Sequence, residues 1–214
     1  MSRFQLVIFD CDGVLVDSET VALPVLREML AELDAQLELP EVHRRFGGLS
    51  IPQVMTAVTD TLGATPPADF EAEFMRRSED ALRTGLVPID GVSDLLVGLE
   101  LPFCTASNAE SEEIRVNLEI AGLRQHFGDR IFTANDVEHP KPAPDLYLLA
   151  ARTMGFDPAV CAVVEDTPTG VAAGAAAGMH VFGYSTRNPA ERLLDAGAQQ
   201  TFTHMSQLPA LLAT

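Results

Sequence analysis

Two hydrophobic patterns alternate along most of this 214-residue chain. Short apolar runs rich in β-branched residues predict buried strands, and stretches with apolar residues every three or four positions predict amphipathic helices. Their alternation is typical of βαβ units, so we predict an α/β fold with a Rossmann-like, doubly wound parallel sheet. The predicted strands are 4–9, 103–107, 130–133, 161–165, 181–184 and 200–203, with helices near 91–99, 110–121, 144–154, 168–177, 189–195 and 206–212.

The stretch between the first two predicted strands carries only helical patterns. Asp17 or Ser18 is expected to cap the first helix, and Pro24 predicts either a kink or a late start of that helix. Clusters of Gly and Pro separate the helices that follow. The helices are predicted near 18–34, 41–46, 50–62 and 68–83.

The length and the two patterns predict one core domain with a modest insertion. We assign residues 1–16 plus 88–214 to the core and residues 17–87 to an inserted α-helical cap domain. Hydrophobic residues make up 47% of the chain, which is enough for a sizeable core.

The charge balance excludes some classes of partner. A net charge of −17 argues against nucleic acid and against anionic membranes, because both require a basic face. No apolar stretch reaches the ~18 residues of a membrane span, and the N-terminus does not have the pattern of a signal peptide. We expect a cytoplasmic monomer in which any phosphate site must be locally positive.

The three cysteines, Cys11, Cys104 and Cys161, lie in or beside predicted buried strands. Disulfide frameworks and zinc sites place cysteines at short, clustered spacings, which this chain does not do. We therefore expect three free, buried cysteines.

The first predicted strand ends in two carboxylates, Asp10 and Asp12, followed by a glycine. Alternate residues of an extended segment point the same way, so both could face the carboxyl end of the sheet, where such folds bind ligands. Carboxylates this close repel and need a cation or a functional reason to stay ionised. An EF-hand is excluded because Val14, Leu15 and Val21 stand where its loop needs an oxygen ligand, a glycine and a glutamate. A solvated turn is disfavoured between two apolar runs, while the pair alone leaves a structural metal site open.

A further polar residue lies at the end of a predicted strand, as Asp10 does. Ser107 ends the second predicted strand just before a helix. Its hydroxyl and the free N–H groups of the helix start can bind a phosphoryl oxygen, although such a serine is more often a cap or turn residue.

Lys141 is the only lysine among 14 basic residues, and prolines on both sides restrict its backbone. The compact ammonium group of this lysine could contact a carboxylate and a phosphoryl oxygen at the same time. The alternative is a surface lysine in a turn.

The fourth predicted strand ends in adjacent acids, Glu165 and Asp166. Buried strands rarely end in two carboxylates unless a cation satisfies them. With Asp10 they offer the hard oxygen ligands that Mg²⁺ prefers, although Asp166 alone could be a helix cap.

In order along the chain, these positions resemble the four motifs of the haloacid dehalogenase (HAD) superfamily, over essentially the whole sequence. The resemblance implies a HAD-like core with a helical cap, a phosphatase activity and Mg²⁺ as cofactor. It implies that Asp10 is the nucleophile and that Asp12 is the general acid and base. Ser107 would hold the phosphoryl oxygens and Lys141 would neutralise their charge. The implied metal ligands are Asp10, the carbonyl group of Asp12, Glu165 and Asp166.

The residues distinguish the phosphatase from several related activities. The position of the cap is similar to the branch that holds β-phosphoglucomutase and small sugar-phosphate phosphatases, and residues 201–209 are similar to the tail of 6-phosphogluconate phosphatases. The mutase is disfavoured but open, because Ile51 and Ala22 stand where it has Arg and His. Haloacid dehalogenase activity is disfavoured because those enzymes lack a carboxylate at the position of Asp12. Phosphonatase activity is disfavoured because it needs a lysine in the cap, and the only lysine here is Lys141. A phospho-acceptor signalling domain, the rival from another class, would be shorter and would lack a cap.

The substrate beyond its phosphoryl group must be recognised by the cap. An arginine there suits a second anionic group by bidentate pairing, although most single arginines are simply solvated. We expect a small anionic sugar phosphate, with 6-phosphogluconate as the first compound to test. The predicted substrate contacts are Asn108, Ser50, Arg45 and Arg77.

Overall fold

The computed structural model describes residues 3–47, 49 and 51–213. The chain divides into two compact units. The core unit runs to Val16 and resumes at Val87, and the helical unit is Asp17–Leu86. Among the residues described, no helix is both long and apolar enough to cross a membrane.

The helical unit packs around its own hydrophobic core. Buried side chains from all its helices meet there, including Leu26, Phe46, Val58 and Phe74. In the described part of this unit the helices are α1 Glu19–Glu32, α2 Leu39–Phe46, α3 Ile51–Leu62 and α4 Phe70–Gly85.

Pro24 predicted either a kink in α1 or a late start of this helix, and the structure decides the second point. The helix begins at Glu19, before the proline, so the late start is wrong. Ser18 occupies the capping position, but the side chain that satisfies a free N–H is Asp17, whose Oδ1 accepts a hydrogen bond from the Thr20 N–H at 3.3 Å. The first-turn contacts therefore stabilise the start of the helix ahead of the residue that would disrupt it.

The core unit is built on one sheet. Its strands, within the residues described, are β1 Leu6–Phe9, β2 Phe103–Ser107, β3 Ile131–Thr133, β4 Cys161–Glu165, β5 His180–Tyr184 and β6 Gln200–Phe202. All neighbouring strands are parallel, in the order β3-β2-β1-β4-β5-β6. The strand order reverses at the central strand β1, which confirms the predicted doubly wound α/β fold.

Helices connect these strands, and helix α9, Pro168–Ala176, shows how the sequence starts one. Pro168 lies in its first turn, where the missing N–H costs nothing, and the Thr167 hydroxyl caps it by accepting from the Gly170 N–H at 3.1 Å. The four-residue helix α7, Arg124–Phe127, was not predicted, because one turn is too short to show a period. The helices described in this unit are α5 Val92–Gly98, α6 Ser111–Ile120, α7 Arg124–Phe127, α8 Asp145–Met154, α9 Pro168–Ala176, α10 Ala190–Asp195 and α11 Leu208–Leu212.

The sheet carries the main core of this unit, and β1, β2 and β4 are buried along their whole length. The expectation for the cysteines is confirmed, since Cys11, Cys104 and Cys161 are free and buried. Burial raises the pKa of the Cys161 thiol to about 11, so this side chain behaves as a small apolar residue at neutral pH.

Candidate active site

Three strands end side by side at the carboxyl edge of the sheet. The Asp10 N–H continues the ladder beyond β1 by donating to the Val164 carbonyl oxygen at 3.0 Å, which places this carboxylate next to the end of β4. On the other side, Phe9 pairs with Thr105, two positions before Ser107 at the end of β2. Parallel pairing therefore brings residues that are far apart in sequence to one point beside the reversal of strand order.

Lys141 joins these strand ends. Its Nζ atom donates to Asp10 Oδ1 at 2.6 Å, to Glu165 Oε1 at 2.7 Å and to the carbonyl oxygen of Ala106 at 2.8 Å. An ammonium group has three N–H donors, and all three are used. Only 4% of the side chain is exposed, so the alternative of a surface lysine in a turn is wrong.

The charges at this point are strongly coupled. Burial lowers the pKa of Lys141, but the carboxylates of Asp10 and Glu165 outweigh burial and raise it well above its usual value. Burial raises the pKa of Asp10 to about 7, against the attraction of Lys141, and the charges of Glu165 and Asp12 act in the same direction as burial. The ammonium group therefore does not fully offset the burial of the Asp10 carboxylate, and a further cation would favour its ionised form.

The residues that could supply ligands to that cation are close together. Side-chain oxygens of Asp10, Glu165 and Asp166 lie within 4.8 Å of one another, and all three residues are buried. Carboxylate oxygens are among the hard ligands that Mg²⁺ takes, together with water and substrate phosphate, so the donor set fits this ion. Asp12 follows in the turn after β1 and is half-buried.

The turn after β1 brings the backbone close to the cluster. Gly13 has φ +85°, which favours glycine, and its N–H donates to the Val16 carbonyl oxygen at 2.8 Å. A Cβ atom at this position would lie 2.0 Å from Asp166 Oδ2 and 3.0 Å from Arg187 Nη1. The absence of a side chain on Gly13 therefore allows Asp166 to occupy its place.

The carboxylate of Glu165 is held on both sides. Its Oε1 accepts from Lys141 and from the Tyr147 hydroxyl at 2.9 Å, and its Oε2 accepts from the Thr167 N–H at 3.1 Å and the Thr167 hydroxyl at 3.0 Å. Any Cβ on Gly170 would lie 1.6 Å from Oε1. The first turn of α9 thus shapes the position of Glu165.

Sequence reasoning singled out Asn108 as a substrate contact, and the structure shows another use for its amide. Its Nδ2 donates to the Lys141 carbonyl oxygen and its Oδ1 accepts from the Lys141 N–H, both at 3.0 Å. This two-point contact fixes the backbone that carries the ammonium group. The proposed contact of Asn108 with substrate stays a prediction.

Other residues of the site were missed. Tyr147, Thr167 and Arg187 were not singled out, and neither was the buried Asn188, whose Nδ2 donates to the Asp166 carbonyl oxygen at 2.8 Å. Polar residues near a helix start, such as Thr167, are too common to identify from sequence. Tyr147 could have been noticed as a hydroxyl on the apolar face of a predicted helix.

Ser107 is buried, and its Oγ accepts a hydrogen bond from the Ala109 N–H at 3.2 Å. This is a contact of the kind that a turn residue makes, which was the alternative role for this serine. Its phosphoryl-binding role stays a prediction. Ser50 lies outside the described residues.

The two predicted cap arginines are paired with carboxylates inside the helical unit. Arg45 pairs with Glu41 on α2. Arg77 pairs with Glu73 on its own helix and with Glu32, so it ties α4 to α1. Their binding of a substrate anion stays a prediction, and such an anion would have to compete with these carboxylates.

The charge cluster on α4 predicts a pH dependence of stability. Hydrogen bonds from Arg76 and Arg77 lower the pKa of Glu73 from 4.5 to about 2. A carboxylate with a depressed native pKa stabilises the fold above its unfolded pKa, and this contribution is lost as the pH falls from about 4.5 towards about 2. We expect Glu73→Gln to flatten the loss of stability over this range, measured by urea unfolding at several pH values.

The control is Glu71→Gln, which removes another exposed glutamate of the same helix. The effect should shrink in high salt, because exposed pairs are screened. Identical acid profiles for both variants would contradict the prediction.

The fold and the site define a class of protein: an α/β enzyme of the Rossmann-like type, with an aspartate–lysine pair and a carboxylate cluster at the carboxyl edge of its sheet. The chain belongs to the family of haloacid dehalogenase-like hydrolases, whose family model matches residues 4–178. This confirms the resemblance drawn from the four motifs.

Curated relatives agree with a phosphatase. The chain is 34% identical to 6-phosphogluconate phosphatase of Escherichia coli over 213 residues, covering 99% of the chain and 96% of the relative. It is also 34% identical to hexitol phosphatase A of the same organism over 198 residues, covering 89% and 88%. The prediction that the protein is an enzyme of the HAD-type phosphatase class is confirmed.

Solved structures agree with the fold. A haloacid dehalogenase-like protein from Agrobacterium tumefaciens superposes with a TM-score of 0.89 at 34% identity, covering 98% of both chains. A HAD family hydrolase from Deinococcus radiodurans, solved with bound phosphate and sodium, has a TM-score of 0.88 at 34% identity, covering 100% of this chain and 96% of that one.

Proposed function

We propose that this protein is a Mg²⁺-dependent phosphatase of a small phosphorylated metabolite, a sugar or sugar-acid phosphate such as 6-phosphogluconate, and that it acts through an aspartyl-phosphate. The observation that carries the proposal is the buried contact of the Lys141 ammonium with both Asp10 and Glu165. That contact places a fixed positive charge beside a strand-end carboxylate. The names of the curated relatives support the sugar-phosphate class.

The reaction has two steps. In the first, the Asp10 carboxylate attacks phosphorus, the bond to the leaving oxygen breaks, and Asp12 donates a proton to that oxygen. In the second, water attacks the phosphorus of the aspartyl-phosphate, Asp12 takes the proton from this water, and phosphate leaves with the Asp10 carboxylate restored. Dividing hydrolysis in this way replaces one difficult step by two easier ones.

The remaining residues manage charge. An anionic nucleophile approaching an anionic phosphate needs positive charge near the phosphoryl oxygens, which Lys141 supplies. The Ser107 hydroxyl and N–H groups of the turn before α6 hold those oxygens. Bound Mg²⁺, held by Asp10, the carbonyl of Asp12, Glu165 and Asp166, would offset the charge of the carboxylates and the substrate.

The helical unit favours a phosphatase over a mutase. Ala22 and Ile51, which stand where the mutase has His and Arg, pack against the hydrophobic core of this unit. Apolar, partly buried side chains at these positions cannot exchange protons or bind a second phosphate. We further propose that the enzyme acts as a cytoplasmic monomer.

The test is a screen of phosphorylated metabolites with the purified protein. We expect phosphate release with Mg²⁺, loss of activity with EDTA and recovery on adding Mg²⁺ back. Sugar and sugar-acid phosphates should give higher kcat/KM than nucleotides or an aryl phosphate. Undiminished turnover in EDTA would refute the metal, and conversion of β-glucose 1-phosphate to glucose 6-phosphate in preference to phosphate release would favour the mutase.

Cap variants extend the same screen to substrate choice. If Arg45 or Arg77 binds the second anionic group, its change to Ala should raise the KM for 6-phosphogluconate more than for glucose 6-phosphate, which lacks the carboxylate. Arg83→Ala on α4 is the control, because Arg83 also pairs with a glutamate of its own helix. An unchanged ranking of substrates in both variants would reject the cap arginines as the determinants.

A further inference from the structure

Tyr147 is a fully buried residue of α8 that contacts two charged groups of the site at once. Its hydroxyl donates to Glu165 Oε1 at 2.9 Å. The Lys141 Nζ atom lies over its ring, 4.6 Å from the centroid. The same side chain therefore contacts both members of the Lys141–Glu165 pair, through different atoms.

A tyrosine is not what core packing alone would select at this position. A buried hydroxyl costs free energy unless it is hydrogen-bonded, and a phenylalanine would fill nearly the same volume without that cost. The hydroxyl of Tyr147 meets a carboxylate, and hydrogen bonds to charged groups are the stronger kind. Its ring offers the negative face of an aromatic quadrupole to an ammonium group, which is a favourable arrangement.

The contacts of Glu165 show what the hydroxyl adds. Thr167 holds the Oε2 side of the carboxylate, while Lys141 and Tyr147 share Oε1. Without the phenol, Oε1 would have Lys141 alone as its partner among these contacts, so the ammonium group by itself would orient this side of the carboxylate. The ammonium group would also lose the aromatic face that lies beside it.

We propose that Tyr147 is a positioning residue, whose hydroxyl orients Glu165 and whose ring supports the Lys141 ammonium group, so that the charge beside Asp10 stays in one place. Tyr147 does not touch the reacting atoms. The inference rests on the proposed function only in taking Asp10 as the nucleophile.

The single lysine of this chain makes the contact directly measurable. In protein labelled with ¹³C,¹⁵N-lysine, the only ε-methylene signal in NMR spectra comes from Lys141, so no assignment is needed. We expect this signal to lie away from the position of free lysine because of the ring. Tyr147→Phe should shift the signal while keeping most of the ring's effect, and Tyr147→Leu should return it towards free lysine.

Kinetics of the same variants separate positioning from binding. A hydrogen bond to a charged group stabilises the arrangement that contains it by the equivalent of roughly tenfold or more in an equilibrium constant, and the same factor would apply to the rate if the reaction needs that arrangement. We expect Tyr147→Phe to lower kcat by this factor, with the KM for substrate at saturating Mg²⁺ within about twofold of the wild type. The matched control is Tyr184→Phe, since Tyr184 is the only other tyrosine and is also buried. It should leave both kcat and the lysine signal unchanged.

Three results would contradict the inference or the proposed function. An unshifted lysine signal in both Tyr147 variants overturns the inference, because the side chain then does not act on Lys141. A raised KM with normal kcat at saturating substrate and Mg²⁺ also overturns it, because Tyr147 would then serve substrate binding. If the wild type hydrolyses no phosphate ester, the proposed function fails, and the NMR result still decides whether Tyr147 positions Lys141.

Discussion

Asp10→Asn is expected to lower phosphate release by ~10⁴-fold or more on every substrate, because an amide cannot replace a carboxylate as the attacking group. The variant should fold normally. Asparagine has nearly the same size and shape as aspartate, and its side-chain oxygen can still accept from Lys141. Steady-state phosphate release and thermal unfolding, measured together, check both parts.

Asp12→Asn provides the comparison for the nucleophile. Loss of a general acid and base typically costs ~10²–10⁴-fold, and it should leave Asp10 able to be phosphorylated. Mass spectrometry of acid-quenched protein should find phosphate on the peptide that contains Asp10 in the wild type and in Asp12→Asn, but not in Asp10→Asn. Wild-type turnover in Asp10→Asn would place the nucleophile elsewhere.

Lys141→Ala is expected to lower kcat by ~10²–10³-fold, the usual effect of losing one donor that stabilises transition-state charge. It should also destabilise the fold. Removing one partner of a buried ion pair typically costs about 3–5 kcal/mol, since the remaining charges, here Asp10 and Glu165, stay buried without compensation. Kinetics and urea unfolding measure the two effects separately.

Lys141→Arg tests whether charge alone suffices. The ammonium group uses three donors towards Asp10, Glu165 and Ala106 in a buried space, and the larger, planar guanidinium does not fit this geometry. We therefore expect low activity in this variant too, while Arg152→Ala, at an exposed position on α8, should behave as the wild type. Full activity of Lys141→Arg would show that a point charge at a fixed place is unnecessary.

The architecture of the core unit was largely predictable because its information is local. Buried parallel strands are continuous apolar runs, and the amphipathic helices between them have a different period, so neighbouring residues suffice to distinguish the two. The bounds of β2 and β4 agree with the prediction at both ends. The one-turn helix α7 was missed because four residues carry no period.

The acids and the lysine of the site were also identifiable from the sequence, because charged residues are rare at the ends of buried strands and lysine is rare in this chain. Carboxylates at the ends of buried strands, as at Asp10 and Glu165, and the only lysine of an arginine-rich chain are visible without a structure. The sequence could not say whether Lys141 is on the surface or buried. Its contact with Asp10 joins residues 131 positions apart, and only the packing of the segment before α8 against the strand ends decides such a contact.

The sequence by itself therefore determined the fold class, the family and the residue types at the strand ends. Only the tertiary structure decided their partners: that Tyr147 and Thr167 hold Glu165, that Asn108 holds the backbone of Lys141, and that Arg77 ties α4 to α1. The physical reason is that secondary structure follows from periodic burial, which neighbours along the chain reveal. A hydrogen bond depends on the direction and distance of two groups, which are defined only when separate elements pack together.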